Sequence, residues 1–372
     1  MSKVTFSMFK KINIISISFL VSFGILLNLS ASSVQGLIQF NDNFHFIKRH
    51  VVSIIIGLVI FKFGRNITTE TYKKFVNTSM IAVTLILFFV LTYGIVAGGS
   101  RRWIDLGIVN FQPSEFAKPV IILWIAHHLS NLEIGKSDLY YLQRALLLPG
   151  LCCLLILLEP DFGTTLTIAG IILIQLFFSE IKIIYPISLI FISPIPIFYA
   201  ISTGSYRFDR FNIWYSKICE GNDIPIDVIR DKCWHLYQSK MAISSGGLFG
   251  LGPGTSRARW GSLPNSWSDF IASIVGEEYG FVGFIVLIVA LFLLIISFYG
   301  LALTTISEFN RLYFVGIGSW ILIQTLFNLG GLVGLLPITG IVLPFVAYGG
   351  SAMVSIFIAL TIANSKEEIE VK

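Results

Sequence analysis

Apolar runs of about 15–25 residues, separated by short polar stretches, repeat from one end of this chain to the other. That length lets a helix cross a bilayer and is too great for barrel strands. The pattern predicts spans at 12–29, 46–63, 79–96, 113–129, 142–158, 164–178, 183–201, 271–298, 313–336 and 343–364. The alternation lapses once, after the seventh span, where 202–270 is long, polar and Gly-rich. The expectation is an all-α integral membrane protein: one polytopic domain over 1–372, about ten transmembrane helices, and a large loop between helices 7 and 8.

Composition agrees. The 372 residues are 55% hydrophobic and only 13% charged, against about 25% charged for a soluble domain. The net charge of +5 is modest and its basic residues sit at span ends, so nucleic-acid binding is not suggested. The first run follows Lys3, Lys10 and Lys11. It reads as a signal peptide or an uncleaved anchor, and no small-residue cleavage site precedes Asn41. Counting Lys and Arg sets the orientation. With both termini cytoplasmic, Lys62, Arg65, Lys73, Lys74, Lys136, Arg144, Lys182 and Arg311 fall inside, and short outside loops hold only Lys48, Arg49, Arg101 and Arg102.

That orientation puts four unusual segments on the outer face: 98–115, 159–163, the long loop and 336–344. A protein that collects its Gly, Pro, Trp and acids on one side is working on that side. In the first segment Pro113 opens a span, and Glu115 and Lys118 share a helix face three residues apart. Their pairing reads as a buried ion pair that fixes packing or as part of a polar pocket. In the second, Glu159 and Asp161 flank Pro160. Capping the next helix explains Asp161, but not Glu159. Binding a cation or accepting hydrogen bonds from a sugar also stays open for both.

The long loop opens with Arg207 and Arg210 among aromatics, which suits an anionic head group or plain interfacial anchoring. Cys219 and Cys233 share this loop and pair if that face is oxidising. The stretch 234–252 reads as a short amphipathic helix lying along the membrane surface and ending at Gly246. Asp269 stands where the loop meets the eighth span, and Glu277 and Glu278 lie about two turns inside it. Carboxylates at such depth are expensive unless they have a task. In the last segment Tyr348 and Ser351 share a Gly-rich stretch, whose glycines read as helix-packing residues. No Walker loop, zinc spacing, nucleotide fingerprint or Ser–His–Asp set is present.

Five linked motifs then carry a resemblance: RRWIDLGIVNFQPSEFAK, EPDFGTT, YQSKMAISSGGLFGLGPG, LPNSWSDFIASIVGEEYGFVG and LPITGIVLPFVAYGGS. The chain resembles the SEDS family, the group of FtsW and RodA, over almost its whole length. The GLFGLGPG and Gly-Glu-Glu stretches look more like the cell-division member FtsW. The resemblance implies the SEDS fold in the bacterial inner (plasma) membrane, at the division septum if the FtsW likeness holds. It implies a peptidoglycan glycosyltransferase polymerising lipid II at the outer face, beside a class B penicillin-binding protein and other divisome proteins. It carries the catalytic role to Asp269, as general base for a sugar 4-hydroxyl. Lys118, Arg207 and Arg210 would meet the diphosphate of the donor, with Glu115 orienting Lys118. Glu159, Asp161, Glu277 and Ser351 complete the expected substrate-binding set. No protein metal site is expected, and a divalent cation, Mg or Mn, is left open as cofactor. Two positions depart from the family: Trp267 stands where His is usual, and Asn265 where Glu or Asp is common. The competing readings are a lipid II flippase, which needs polar residues reaching both faces, and a RodA-type elongation polymerase.

Overall fold

The computed structural model describes residues 3–97, 100–105, 110–131, 137–193, 211–219 and 225–366. Helix α1 (Lys3–Phe40) runs well beyond its apolar segment. At 1.5 Å per residue it is about 57 Å long, so it overreaches the hydrocarbon layer. A tight turn at Asn41 (φ 53°) reverses the chain into α2 (His45–Gly64). A short α3 (Thr69–Lys74), capped by the Thr68 hydroxyl, leads to α4 (Val76–Tyr93).

The next segment adds a few strands to a mostly helical fold. Strands β1 (Ile95–Ala97), β2 (Ser100–Asp105) and β3 (Asn110–Phe111) form a small antiparallel sheet in the order β1-β2-β3. Ala97 pairs with Ser100, and Ile104 with Phe111. The sheet pairs its own backbone groups, and its last strand ends two residues before α5 (Pro113–Leu129). Helix α5 is buried on nearly every side and is the axis of the bundle. Against it pack α4, α6 (Asp138–Leu158), α7 (Phe162–Phe178), α11 (Glu308–Val333) and α12 (Gly350–Ala363), while α10 (Ile271–Thr304) packs on α1 and α11. Helix α8 (Ile184–Ile192) is the described part of the seventh span.

Helices α1, α4, α6, α10 and α11 are long and apolar enough to cross a membrane, and α7 and α12 are shorter apolar helices. Large apolar side chains such as Phe281, Phe292, Leu85 and Phe191 point outward. An apolar belt of this kind belongs against lipid tails, and the chain is an integral membrane protein.

The helix α9 (Trp234–Ser245) ends at Gly246 and packs on α10 and α11 through Ser239 and Ala242, with Tyr237, Met241 and Ser244 exposed. Its buried Ser239 hydroxyl bonds Ser273 (2.8 Å) and donates to the Leu332 carbonyl (3.0 Å). The tenth span is helical only from Gly350, and 335–349 is irregular. Helix α10 is also interrupted, at Gly280 (φ 68°, ψ −164°). Only glycine takes that conformation readily. The break frees main-chain groups of the first half, and the Gly-rich loop uses them: Leu251 N donates to Glu277 O and Gly252 N to Glu278 O, both at 3.0 Å.

Candidate active site

A cavity of about 470 Å³ lies at the end of the bundle that carries the sheet and the Gly-rich loop. Helix starts and ends meet there, which is why polar groups gather: terminal N–H and C=O groups need partners, and nearby side chains supply them. Glu115, Lys118, Asp161, Asp269 and Ser351, which come from separate stretches of sequence, all line it.

The first two turns of α5 supply Glu115 and Lys118. Lys118 Nζ donates to Glu115 Oε1 at 2.7 Å, and both side chains are almost wholly buried. The ammonium also lies 5.4 Å from the Trp320 ring centroid, over its face. The sequence left packing pair and pocket as alternatives for these two residues; they are a buried pair in a pocket wall.

Asp161 is the N-cap of α7. Its Oδ1 accepts from Thr164 N (3.1 Å), and Oδ2 meets Arg102 Nη1 at 3.6 Å. Glu159 does not line the cavity. It is fully buried at the end of α6, and neither carboxylate oxygen has a hydrogen-bond partner. Burial first, and then the charge of Asp161, push its carboxyl up to about 8.

Asp269 is half-buried just before α10. Its backbone is fixed by Asn328, whose Nδ2 donates at 2.8 Å both to Asp269 O and to Ile341 O. Gly340 (φ 75°) leaves space beside the carboxylate. Trp267, the departure from the family pattern, stacks at a tilt on Phe46 (5.1 Å), and its carbonyl accepts from Tyr348 N (3.0 Å). It has become a wall of the cavity. Ser351, in the first turn of α12, accepts from Gln112 N (3.0 Å) and donates to Asn110 O (3.1 Å). It thereby ties the sheet to α12, whose N-terminal turn, the positive end of its dipole, also lines the cavity.

Glu277 is the clear correction among the expected binding residues. It does not line the cavity. Its carboxylate accepts from Arg257 N (2.9 Å), Ala258 N (3.2 Å) and Ser256 Oγ (2.5 Å), so it anchors the loop. Glu278 does similar work, accepting from the Ser30 hydroxyl on α1. Arg207 and Arg210 lie outside the described residues. Cys219 and Cys233 form a disulfide, with Cα atoms 5.5 Å apart.

The sequence reading passed over several cavity residues: His45, Arg49 and Ser53 on α2, Arg102 on β2, Gln112, and Gln324 on α11. Gln324 carried a usable signal, a buried amide inside an apolar span. Arg49 and Arg102 were read only as orientation markers.

A family model described as cell cycle protein, covering FtsW, RodA and SpoVE, matches residues 10–368. A probable peptidoglycan glycosyltransferase FtsW from Trichlorobacter lovleyi is 32% identical over 91% of this chain and 88% of that protein. Stage V sporulation protein E of Bacillus subtilis is 31% identical over 92% of each. Among solved structures, a chain of a peptidoglycan synthase complex that coordinates polymerization and crosslinking overlays with a TM-score of 0.72. It shares 23% identity over 94% of this chain and 95% of that one. The rod shape determining protein RodA of Thermus thermophilus overlays at 0.67, also with 23% identity, over 94% and 93%.

Proposed function

Because the chain belongs to the FtsW, RodA and SpoVE family of cell cycle proteins, we propose that it is a peptidoglycan glycosyltransferase. It polymerises lipid II into glycan strands at the outer face of the plasma membrane, in the FtsW manner of septal wall synthesis. The observation that carries this reading is the cavity in which Asp269 and the Lys118–Glu115 pair meet. Both termini are then cytoplasmic, which puts the cavity outside, in agreement with the lysine and arginine bias.

The chemistry asks for two things. The acceptor hydroxyl of one sugar is a poor nucleophile and must lose its proton as it attacks the anomeric carbon of the other. Asp269 takes that proton. The bond to the polyprenyl diphosphate breaks at the same carbon, so the transfer inverts the configuration. The departing diphosphate needs positive charge and no proton. Lys118, Arg49 and Arg102 line the cavity, and the N-terminal turn of α12 adds its dipole. Glu115 holds Lys118 in place.

Glu115 and Asp161 already face Lys118 and Arg102. Among the described residues there is no cluster of His, Cys, Asp and Glu fit to hold a metal. No step is assigned to a divalent cation.

A flippase would need a polar route through the bundle. A second cavity does open at the opposite end, but it shares no lining residue with the first. Gly57 closes on the Phe357 ring between Ser53, in the first cavity wall, and Leu58, in the second. This supports the enzyme over the transporter.

The partner that fits the reading is a class B penicillin-binding protein, which would cross-link the strands. The test is incubation of the purified protein with lipid II, with and without such a partner, alongside a liposome assay for lipid II movement. Polymer that depends on this protein is expected. Movement across the bilayer without polymer would favour the flippase.

A further inference from the structure

Helices α1 and α2 form a hairpin that is tight at one end and splayed at the other. At the tight end Gly36 lies against the Asp42 carbonyl, where no Cβ would fit. Toward the other end, about 360 Å³ of space opens between the two helices, floored by α10, α11 and α12. This is the cytoplasmic end in the orientation proposed above. The crevice runs on α1 from Phe6 to Ser18 and on α2 from Arg65 back to Leu58, which at 1.5 Å per residue is about 10–18 Å of depth.

Its chemistry is graded. Lys10 and Arg65 stand at the mouth with Asn364, the buried Asn13 amide donates to Ser297 Oγ (2.9 Å), and the inner walls are apolar, with Ile17, Leu58 and Phe357 among them. Among the described residues no carboxylate lines it. Among the described residues, Lys10 and Arg65 form no ion pair. Both are exposed, and Arg65 lies over the Phe61 ring at 5.9 Å. Ile14 and Leu58, on either side of the gap, are about half exposed (56% and 50%), so the crevice opens sideways to the lipid as well as endward to water.

We propose that this crevice is a binding site for an anionic phospholipid of the cytoplasmic leaflet. Its phosphate sits between Lys10 and Arg65, and an acyl chain lies along Ile17, Leu58 and Phe357. Basic pockets between transmembrane helices on this side are suited to anionic head groups, and the charge-to-apolar gradient along the walls matches one lipid lengthwise. A bound lipid would fill the splayed end of the hairpin and hold α1 against α2. The site stands apart from the catalytic cavity, and its test does not depend on glycosyl transfer or on orientation.

The test is native mass spectrometry of the full-length protein taken from nanodiscs of equimolar phosphatidylglycerol and phosphatidylcholine with identical chains. Wild type should retain phosphatidylglycerol preferentially. The Lys10→Gln/Arg65→Gln variant should lose that preference by roughly tenfold, since each surface cation contributes several-fold toward an anionic lipid. The control Lys62→Gln/Lys74→Gln, which removes equal charge from exposed positions outside the crevice, should keep it. Ile17→Trp, which fills the apolar part, should lower phosphatidylglycerol retention with both cations present. Equal retention of the two lipids by wild type would overturn the proposal. So would a full preference in Lys10→Gln/Arg65→Gln, an equal loss in the control, or unchanged retention in Ile17→Trp.

Discussion

At the residue scale Lys118 and Glu115 depend on each other, because neither is tolerable there alone. Removing one partner of a buried ion pair costs about 3–5 kcal/mol, since the other charge stays behind. Glu115 Oε2 already lacks a hydrogen-bond partner. Lys118→Met should therefore unfold at lower temperature than wild type, and should also slow turnover through weaker binding of the diphosphate-bearing donor. The double variant Glu115→Ala/Lys118→Met should be little worse in activity than Lys118→Met alone, and more stable than it. Thermal unfolding and polymerisation rates of the three variants check both halves. Glu159 gives a separate prediction. With a carboxyl at about 8 in the folded protein against 4.5 when solvated, the folded state holds the proton more tightly. Its contribution to stability is then lost as pH rises from about 4.5 to about 8. Glu159→Gln should gain thermal stability over wild type progressively across that window, with little difference below it. A constant offset at every pH would contradict the assignment.

At the element scale, sequence and structure part company in an instructive way. The span 113–129 matches α5 end to end, because Pro113 fixes the start and an unbroken apolar stretch fixes the rest. The disulfide was legible from two cysteines in one loop. The break in α10 was not. Gly280 in an apolar run looks like a packing glycine, and its φ of 68° is dictated by the Gly-rich loop that docks against Glu277 and Glu278. For the same reason Glu277 read as a substrate ligand. A buried acid facing sugar and one facing backbone amides have the same sequence signature, and only packing separates them. Gly280→Ala should cost about 1–3 kcal/mol from conformation alone, plus a clash with the loop backbone at Leu248 and Gly250. It should also impair polymerisation, because the loop leads directly to Asp269. Limited proteolysis between α9 and α10 should then accelerate. A variant as stable and as protease-resistant as wild type would sink this account of the break.

Over the whole molecule, function follows from where the helices end. The apolar pattern was enough to place most spans, to read the protein as membranous and to bring Glu115, Lys118, Asp161, Asp269 and Ser351 toward one face. It could not show that α2 turns Arg49 and Ser53 inward, or that a small sheet carries Arg102 to Asp161, since both depend on contacts between distant segments. Together these elements build one polar chamber at one end of an otherwise apolar bundle, and they separate it from the basic crevice at the other end. The central claim is that Asp269 performs glycosyl transfer inside that chamber. Its most direct measurement is lipid II polymerisation by Asp269→Asn protein that is inserted and folded like wild type. No glycan polymer is the result expected; polymer at near wild-type rate would contradict the assignment.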